Sequence, residues 1–243
     1  MNLKRVAEKS ELYDDHQEVT SYCQSSRGGL VGFIEYGFFR KILRRYGHRE
    51  SLKVLDMGTG PGWIPTRIAR AMPSWQITGL DASELMLTKA RAHSASRKVK
   101  IEFVHASADQ SNLPSDHFDL VISHFALHEF PDPQAVIQEM LRVVKKDGEM
   151  FIQDLARPHP LFFPFLQMGM FIGHPLSPNM RRQGESSLRS SYNVLEMQKM
   201  LQFCGLPFEV RHSALLSLIQ IWVKKIRTSS PLEKAELLVG ANA

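Results

Sequence analysis

The sequence predicts an α/β fold: a doubly wound, mainly parallel seven-stranded sheet, with N-terminal helices ahead of it and a helical lid insertion. Three observations carry that expectation. Short apolar runs alternate with longer helical ones from residue 52 onward, a glycine-rich turn joins the first such pair, and residues 157–187 break the rhythm with a stretch rich in Pro, Gly, Phe and Met.

The first fifty residues look helical, with VGFIEYGFFRKILRRY (31–46) the strongest segment. They read as a helical cap over residues 1–50, ahead of a main domain over 51–243 that carries a lid at about 157–191. LKVLDM (52–57) is a buried strand, IPTRIARAM (64–72) a helix, WQITGLD (75–81) the next strand and ASELMLTKARAHSASR (82–97) the next helix. KIEFVHAS (100–107) is a third strand and FDLVISHFAL (118–127) contains a fourth. PQAVIQEMLRVVK (133–145) is an amphipathic helix stopped by Asp147 and Gly148, and EMFIQDL (149–155) is a fifth strand. Crossover helices between these strands imply parallel pairing. NVLEMQKMLQFCGL (193–206) returns to helical spacing and ends at Gly205, FEVRHSALLSLIQIWVKK (208–225) supplies a strand pair that closes the sheet edge, and the last dozen residues read as a loosely held helix.

Composition excludes several classes. Hydrophobic residues at 43% and charged ones at 23% are ordinary globular usage, neither fibrous nor disordered. Cys23 and Cys204 stand far apart in no CxxC or Cys/His cluster, which favours a reducing cytoplasm. No signal-peptide core opens the chain, and no stretch approaches the roughly 18 to 20 apolar residues of a membrane span. The formal charge is +5, and the densest basic run, RKILRRYGHR (40–49), is either a solvated helix face or an attraction for nucleic acid or an acidic membrane.

VLDMGTGPGW (54–63) is the most informative stretch. Bare backbone between a first strand and a first helix lets a ligand approach N–H groups at the positive helix end. The dinucleotide fingerprint is GxGxxG, whose final glycine lets helix and strand pack closely, but here Gly58, Gly60 and Gly62 form GxGxG and Trp63 takes that last place. Asp56 sits two residues before the first glycine, where a carboxylate repels pyrophosphate and suits an ammonium or sulfonium. Asp81 closes the second strand 23 positions after Gly58, near the interval of roughly 20 at which an acid reads ribose hydroxyls; a helix N-cap role in DASE is compatible. Asp109, in ADQSNLP after the third strand, is placed to meet an adenine.

Together these residues resemble the class I S-adenosylmethionine-dependent methyltransferases, which have a Rossmann-like fold. VLDMGTGPG resembles their first motif, ITGLDAS the second, ADQSNLPSDHFDLVIS the third and fourth, and AVIQEMLRVVKKDGEMFIQD the stretch before the fifth strand; the match covers about residues 50–155. Lys146-Asp147-Gly148 replaces the usual Pro-Gly-Gly turn, and HASADQ departs from the pattern before Asp109. The resemblance implies S-adenosylmethionine as cofactor. Asp56 and the turn Gly58, Thr59, Gly60 and Gly62 would hold its methionine part, Asp81 with Ala82 its ribose, and Asp109 with Gln110 its adenine, with Ser123 at the end of strand four completing the set. Tyr13 and Tyr22 could close over it.

In this family the chain just past the fourth strand faces the methyl group, and SHFALHEF (123–130) offers His124, His128 and Glu129 there. His128 is the first candidate for a general base and His124 the second, unless both lie on one face of a short helix and merely bind backbone. HFALHE is not HExxH and no third ligand stands out, so no metal is expected. LFFPFLQMGMFIG (161–173) would form a lid over an aromatic, quinone-like or lipid-like acceptor, or simply pack as core, and Arg181, Arg182 and Arg189 could bind an acidic group on it. An RNA methyltransferase is the second reading, although no NPPY-like motif, catalytic-cysteine motif or RNA-binding module is present. A cofactor-binding protein of the same fold with other chemistry is the third. A nicotinamide oxidoreductase is disfavoured by Trp63 and Asp56.

Overall fold

The computed structural model describes residues 5–6, 15–25, 29–158, 161, 178–213 and 216–225. Two helices, α1 (His16–Ser25) and α2 (Gly29–Tyr46), precede a run of alternating elements: β1 (Lys53–Met57), α3 (Trp63–Ala71), β2 (Gln76–Asp81), α4 (Glu84–Ser96), β3 (Glu102–His105), β4 (Phe118–His124), α5 (Pro133–Val143) and β5 (Val144–Leu155). α6 (Pro178–Ser190), α7 (Val194–Gln202), β6 (Phe208–Ser213) and β7 (Leu218–Lys224) follow. The seven strands form one sheet in the order β3-β2-β1-β4-β5-β7-β6. The first five are parallel, and β7 runs antiparallel between β5 and β6.

Helices cover both faces of the sheet, which is why the central strands read as unbroken apolar runs. On one face Phe38 and Ile42 of α2 and Ile64 and Ile68 of α3 pack on Val54, Leu120, Ile122 and Phe151. On the other, Val136, Ile137 and Met140 of α5 and Met197 and Leu201 of α7 pack on Leu55, Met57, Val121 and Ile152. α7 opens with a capping box in which Asn193 and Glu196 exchange side-chain to backbone bonds.

Two expectations are corrected. The helix expected to run to residue 145 ends at Val143, and β5 begins at Val144, paired with Phe118. The Lys146-Asp147-Gly148 segment is therefore part of the strand rather than a helix-stop turn. The Asp147 N–H donates to the Lys225 carbonyl at 2.8 Å and the Lys225 N–H to the Gly148 carbonyl at 3.0 Å, with Asp147 at φ 70°. Secondly, His124 and His128 do not share a helix face: His124 ends β4, and the chain turns sharply at Phe125, φ 55°.

The 157–191 insertion departs and returns at one place. Ala156 bridges Tyr192, the Arg157 N–H donates to the Tyr192 carbonyl at 3.0 Å, and the buried Arg157 guanidinium reaches the Ser191 carbonyl and Glu196. Most of the expected lid (159–160 and 162–177), Tyr13, the Arg181 side chain and the C-terminal segment 226–243 lie outside the described residues. Arg189 is spent on Glu185, 2.8 Å away.

An acid-lined cavity at the switch point

In an open α/β sheet a ligand crevice forms beyond the strands' carboxyl ends, where the strand order reverses. Here that point lies between β1 and β4, and a cavity of about 400 Å³ opens there, lined by residues 58–61 of the glycine turn (Gly62 is not among its lining residues), the ends of β1, β2 and β4, and Tyr22 and Glu35 from the N-terminal helices. A larger cleft of about 830 Å³ lies at the opposite end, among Lys53, Arg70, Arg97, Lys98 and Lys100, away from the glycines.

The turn is shaped by close approach. A Cβ on Gly58 would lie 2.6 Å from the Ala126 Cβ, and one on Gly62 would lie 3.0 Å from the Ala90 Cβ on α4; both glycines have φ above 70°. Gly62 thus brings α3 close to α4. Trp63, where a dinucleotide fold would place its last glycine, packs its indole at right angles to the His93 ring of α4, ring centroids 4.3 Å apart.

The turn's N–H groups are largely committed. Gly58 and Thr59 donate to the Leu80 carbonyl at 2.9 Å each, and Gly60 donates to Asp81 Oδ2 at 2.7 Å. Asp81 Oδ1 accepts from the Ser83 N–H at 2.9 Å, so both carboxylate oxygens accept from backbone and, with two lone pairs each, keep acceptor capacity for hydroxyls. Burial raises the Asp81 pKa. Ser83, not Asp81, is the N-cap of α4, accepting from the Met86 N–H.

Asp56 is 2% exposed and accepts the Thr59 hydroxyl at 2.8 Å. Burial, with Asp81 nearby, pushes its pKa up to about 7. Glu35, from α2, is buried too and is likewise raised by burial to about 7, with Arg67 pulling the other way. Glu129 also lines the cavity, and burial beside Glu129 and Glu35 raises the Tyr22 hydroxyl. Four acids around so small a volume disfavour an anion and favour a cation.

Of the other residues named from sequence, Thr59, Ala82 and His124 line the cavity. Asp109 and Gln110 are exposed and are not among its lining residues, where Ser107 and Ala108 stand instead; Ser107 donates to Asp109. Ser123 is fully buried and does not line it either. His128 is 2% exposed and lies behind the cavity wall: its Nδ1 is 2.6 Å from Asp154 Oδ1, and its backbone N–H donates to Asp154 Oδ2 at 2.8 Å. His124 instead packs its ring on Phe38 and Phe125 at 4.7 and 4.2 Å, and its Nε2 lies 3.1 Å from the Gln153 amide nitrogen. Gln153 and Asp154 are consecutive on β5 and point to opposite faces, so the two histidines do as well. Burial holds the His124 pKa down at about 3.

Glu35 was missed in the sequence. Its signal is a lone acid in the apolar stripe Val31, Glu35, Phe39 of α2 at helical spacing.

Fold and cavity together define an α/β domain with an acid-lined crevice at its switch point. Residues 54–148 match the family model described as a methyltransferase domain, and the chain has the class I S-adenosylmethionine-dependent methyltransferase fold. It is 34% identical over 137 residues, 53% of this chain and 54% of the relative, to the ubiquinone/menaquinone biosynthesis C-methyltransferase of Pseudomonas putida. It thus spans about half the length of that relative. It is 26% identical over 189 residues, 72% of this chain and 77% of the relative, to the demethylmenaquinone methyltransferase of Staphylococcus aureus. Among solved structures, a plantazolicin methyltransferase in complex with SAH superposes with a TM-score of 0.73 at 14% identity, covering 90% of this chain and 93% of that one. A SAM-dependent methyltransferase from Aquifex aeolicus gives 0.65 at 19% identity, covering 87% and 99%.

Proposed function

We propose that the protein is an S-adenosylmethionine-dependent methyltransferase acting in the cytoplasm on a small aromatic, quinone-like or lipid-like acceptor. The observation that carries this reading is the acid-lined cavity in which the Gly60 N–H is already given to Asp81, an arrangement suited to a sulfonium nucleoside and ill suited to a pyrophosphate. No helix among the described residues is long and apolar enough to cross a membrane. The names of the relatives, a ubiquinone/menaquinone biosynthesis C-methyltransferase and a demethylmenaquinone methyltransferase, support an aromatic or quinone-like acceptor.

When bound, the cofactor supplies an electrophilic methyl group for in-line displacement by the acceptor. The protein's part is then to fix distance and angle and exclude water. Asp81 binds the ribose hydroxyls through its spare acceptor capacity. Asp56 and Glu35 balance the ligand's positive charge, Trp63 and Met86 wall off the cavity, and Tyr22 covers it from the N-terminal helices. Asp109 with Gln110 serves the adenine from the loop after β3, next to Ser107 and Ala108, which line the cavity. The segment 1–50 acts as a cap and the insertion at about 157–191 as the acceptor lid.

The test is formation of S-adenosylhomocysteine with a panel of phenolic, quinone-like and RNA acceptors. Turnover with the aromatic set and none with RNA is expected. Turnover only with RNA, or product formation without S-adenosylhomocysteine, would overturn the reading.

A further inference from the structure

A row of polar side chains crosses the sheet and ends at the cavity. His124, Gln153 and Gln220 are lateral neighbours on β4, β5 and β7, and Lys41 of α2 meets the far end of the row. Lys41 donates to Gln220 Oε1, the Gln220 amide donates to Gln153 Oε1, and the Gln153 amide nitrogen meets His124 Nε2 at 3.1 Å.

The direction of this chain has a physical cause. An ammonium has three donors and no acceptor, so Lys41 obliges Gln220 to offer its carbonyl oxygen. Gln220 must then turn its NH₂ to Gln153, which must present its carbonyl there and its own NH₂ to the imidazole. The only group at Nε2 that can answer an N–H donor is a lone pair. Gln153 is 1% exposed, and reversing its amide would set its NH₂ against the NH₂ of Gln220, two buried donors with no acceptor between them.

We propose that Lys41, Gln220 and Gln153 lock His124 as its Nδ1–H tautomer, making it a hydrogen-bond donor to an oxygen of the methyl acceptor rather than a general base. Lys41, Gln220 and Gln153 are positioning residues; His124 is the one that lines the cavity. Its Nε2 lone pair is occupied and its Nδ1 carries the proton, so neither nitrogen is free to take another. The low pKa agrees, since the ring stays neutral at any working pH. Deepening the proposed function, the geometry asks for an acceptor whose reacting atom is, or adjoins, a carbonyl or phenolate oxygen. Such an oxygen is oriented by the Nδ1–H and reaches the methyl already ionised or enolised.

The tautomer is testable without any methyl transfer. Long-range ¹H–¹⁵N spectra of histidine-labelled protein separate the two forms, and comparison with His124→Asn assigns the signal among the ten histidines. The wild type should show a protonated Nδ1 and an unprotonated Nε2. Lys41→Met keeps the apolar stem and Gln153→Leu removes the last donor, and in both the Nε2–H form should become populated. A wild-type Nε2–H form, or an unchanged Nδ1–H form in Lys41→Met, would overturn the proposal. With an oxygen-bearing aromatic acceptor, Gln153→Leu should lower kcat/KM at least about tenfold while S-adenosylmethionine affinity stays constant. An equal loss of cofactor affinity would reduce the row to a structural role. The expected spectra in a protein that transfers no methyl would leave the tautomer lock standing and refute the proposed function alone.

Discussion

Glu35 and Asp56 both line the cavity with pKa values raised by burial to about 7, so both change charge near neutrality. A cationic ligand favours their ionised forms, and affinity for it must rise as pH climbs through those values. Between about pH 6 and 8, S-adenosylmethionine should bind severalfold more tightly at the upper end, by calorimetric titration at each pH. Glu35→Gln should flatten that dependence. A slope unchanged in the variant would remove Glu35 from the site's charge balance. Asp56 and Asp81 were legible in the sequence because glycines and a strand end frame them, whereas Glu35 comes from a helix packed across the sheet. The spacing of His124 and His128 was misleading: a strand end and a left-handed turn put four-residue neighbours on opposite faces.

At the scale of elements, the segment between β4 and α5 forms one wall of the cavity, and Asp154 on β5 holds it. That carboxylate receives the His128 N–H and ring and the Leu155 N–H. Removing one partner of such a buried pair costs about 3 to 5 kcal/mol, so Asp154→Ala should lower the melting temperature sharply in scanning calorimetry. His128→Gln separates the two roles considered for this histidine. An anchor predicts lost stability with turnover retained at low temperature, and a base predicts the reverse. The strands and crossover helices were legible almost throughout, since alternation of short apolar runs with amphipathic stretches follows from burying a sheet on both faces. The start of β5 was not. Lys146-Asp147-Gly148 has turn composition, but lateral bonds to Lys225, a distant residue in sequence, draw it into the sheet.

For the whole molecule, the buried titratable groups shape stability against pH. Asp56 and Glu35 have folded values above their unfolded ones, so the stability of their protonated forms is full below the ordinary carboxylate range and is lost as pH rises through about 7. His124 is depressed, so its contribution is full above the ordinary imidazole range and is lost as pH falls toward about 3. The ligand-free protein should therefore melt at a lower temperature at pH 8 than at pH 6, and the rise in melting temperature on adding S-adenosylmethionine should be larger at pH 8. A ligand-free melting temperature that climbs from pH 6 to 8 would contradict the charge assignment. The basic run 40–49 is also resolved at this scale. Lys41 donates to Gln220 and Arg45 pairs with Glu149 at 2.7 Å, while Arg40, Arg44, Arg45 and Arg49 are exposed.

If the proposed function holds, the acid-lined cavity at the switch point takes a sulfonium nucleoside. Calorimetric titration of the purified protein with S-adenosylmethionine, S-adenosylhomocysteine and NADH, repeated on Asp81→Ala, tests it most directly. Micromolar binding of the first two is expected, with none of NADH and at least about a tenfold loss in the variant, or about 1.4 kcal/mol. NADH binding, or affinity for S-adenosylmethionine unchanged by Asp81→Ala, would contradict it.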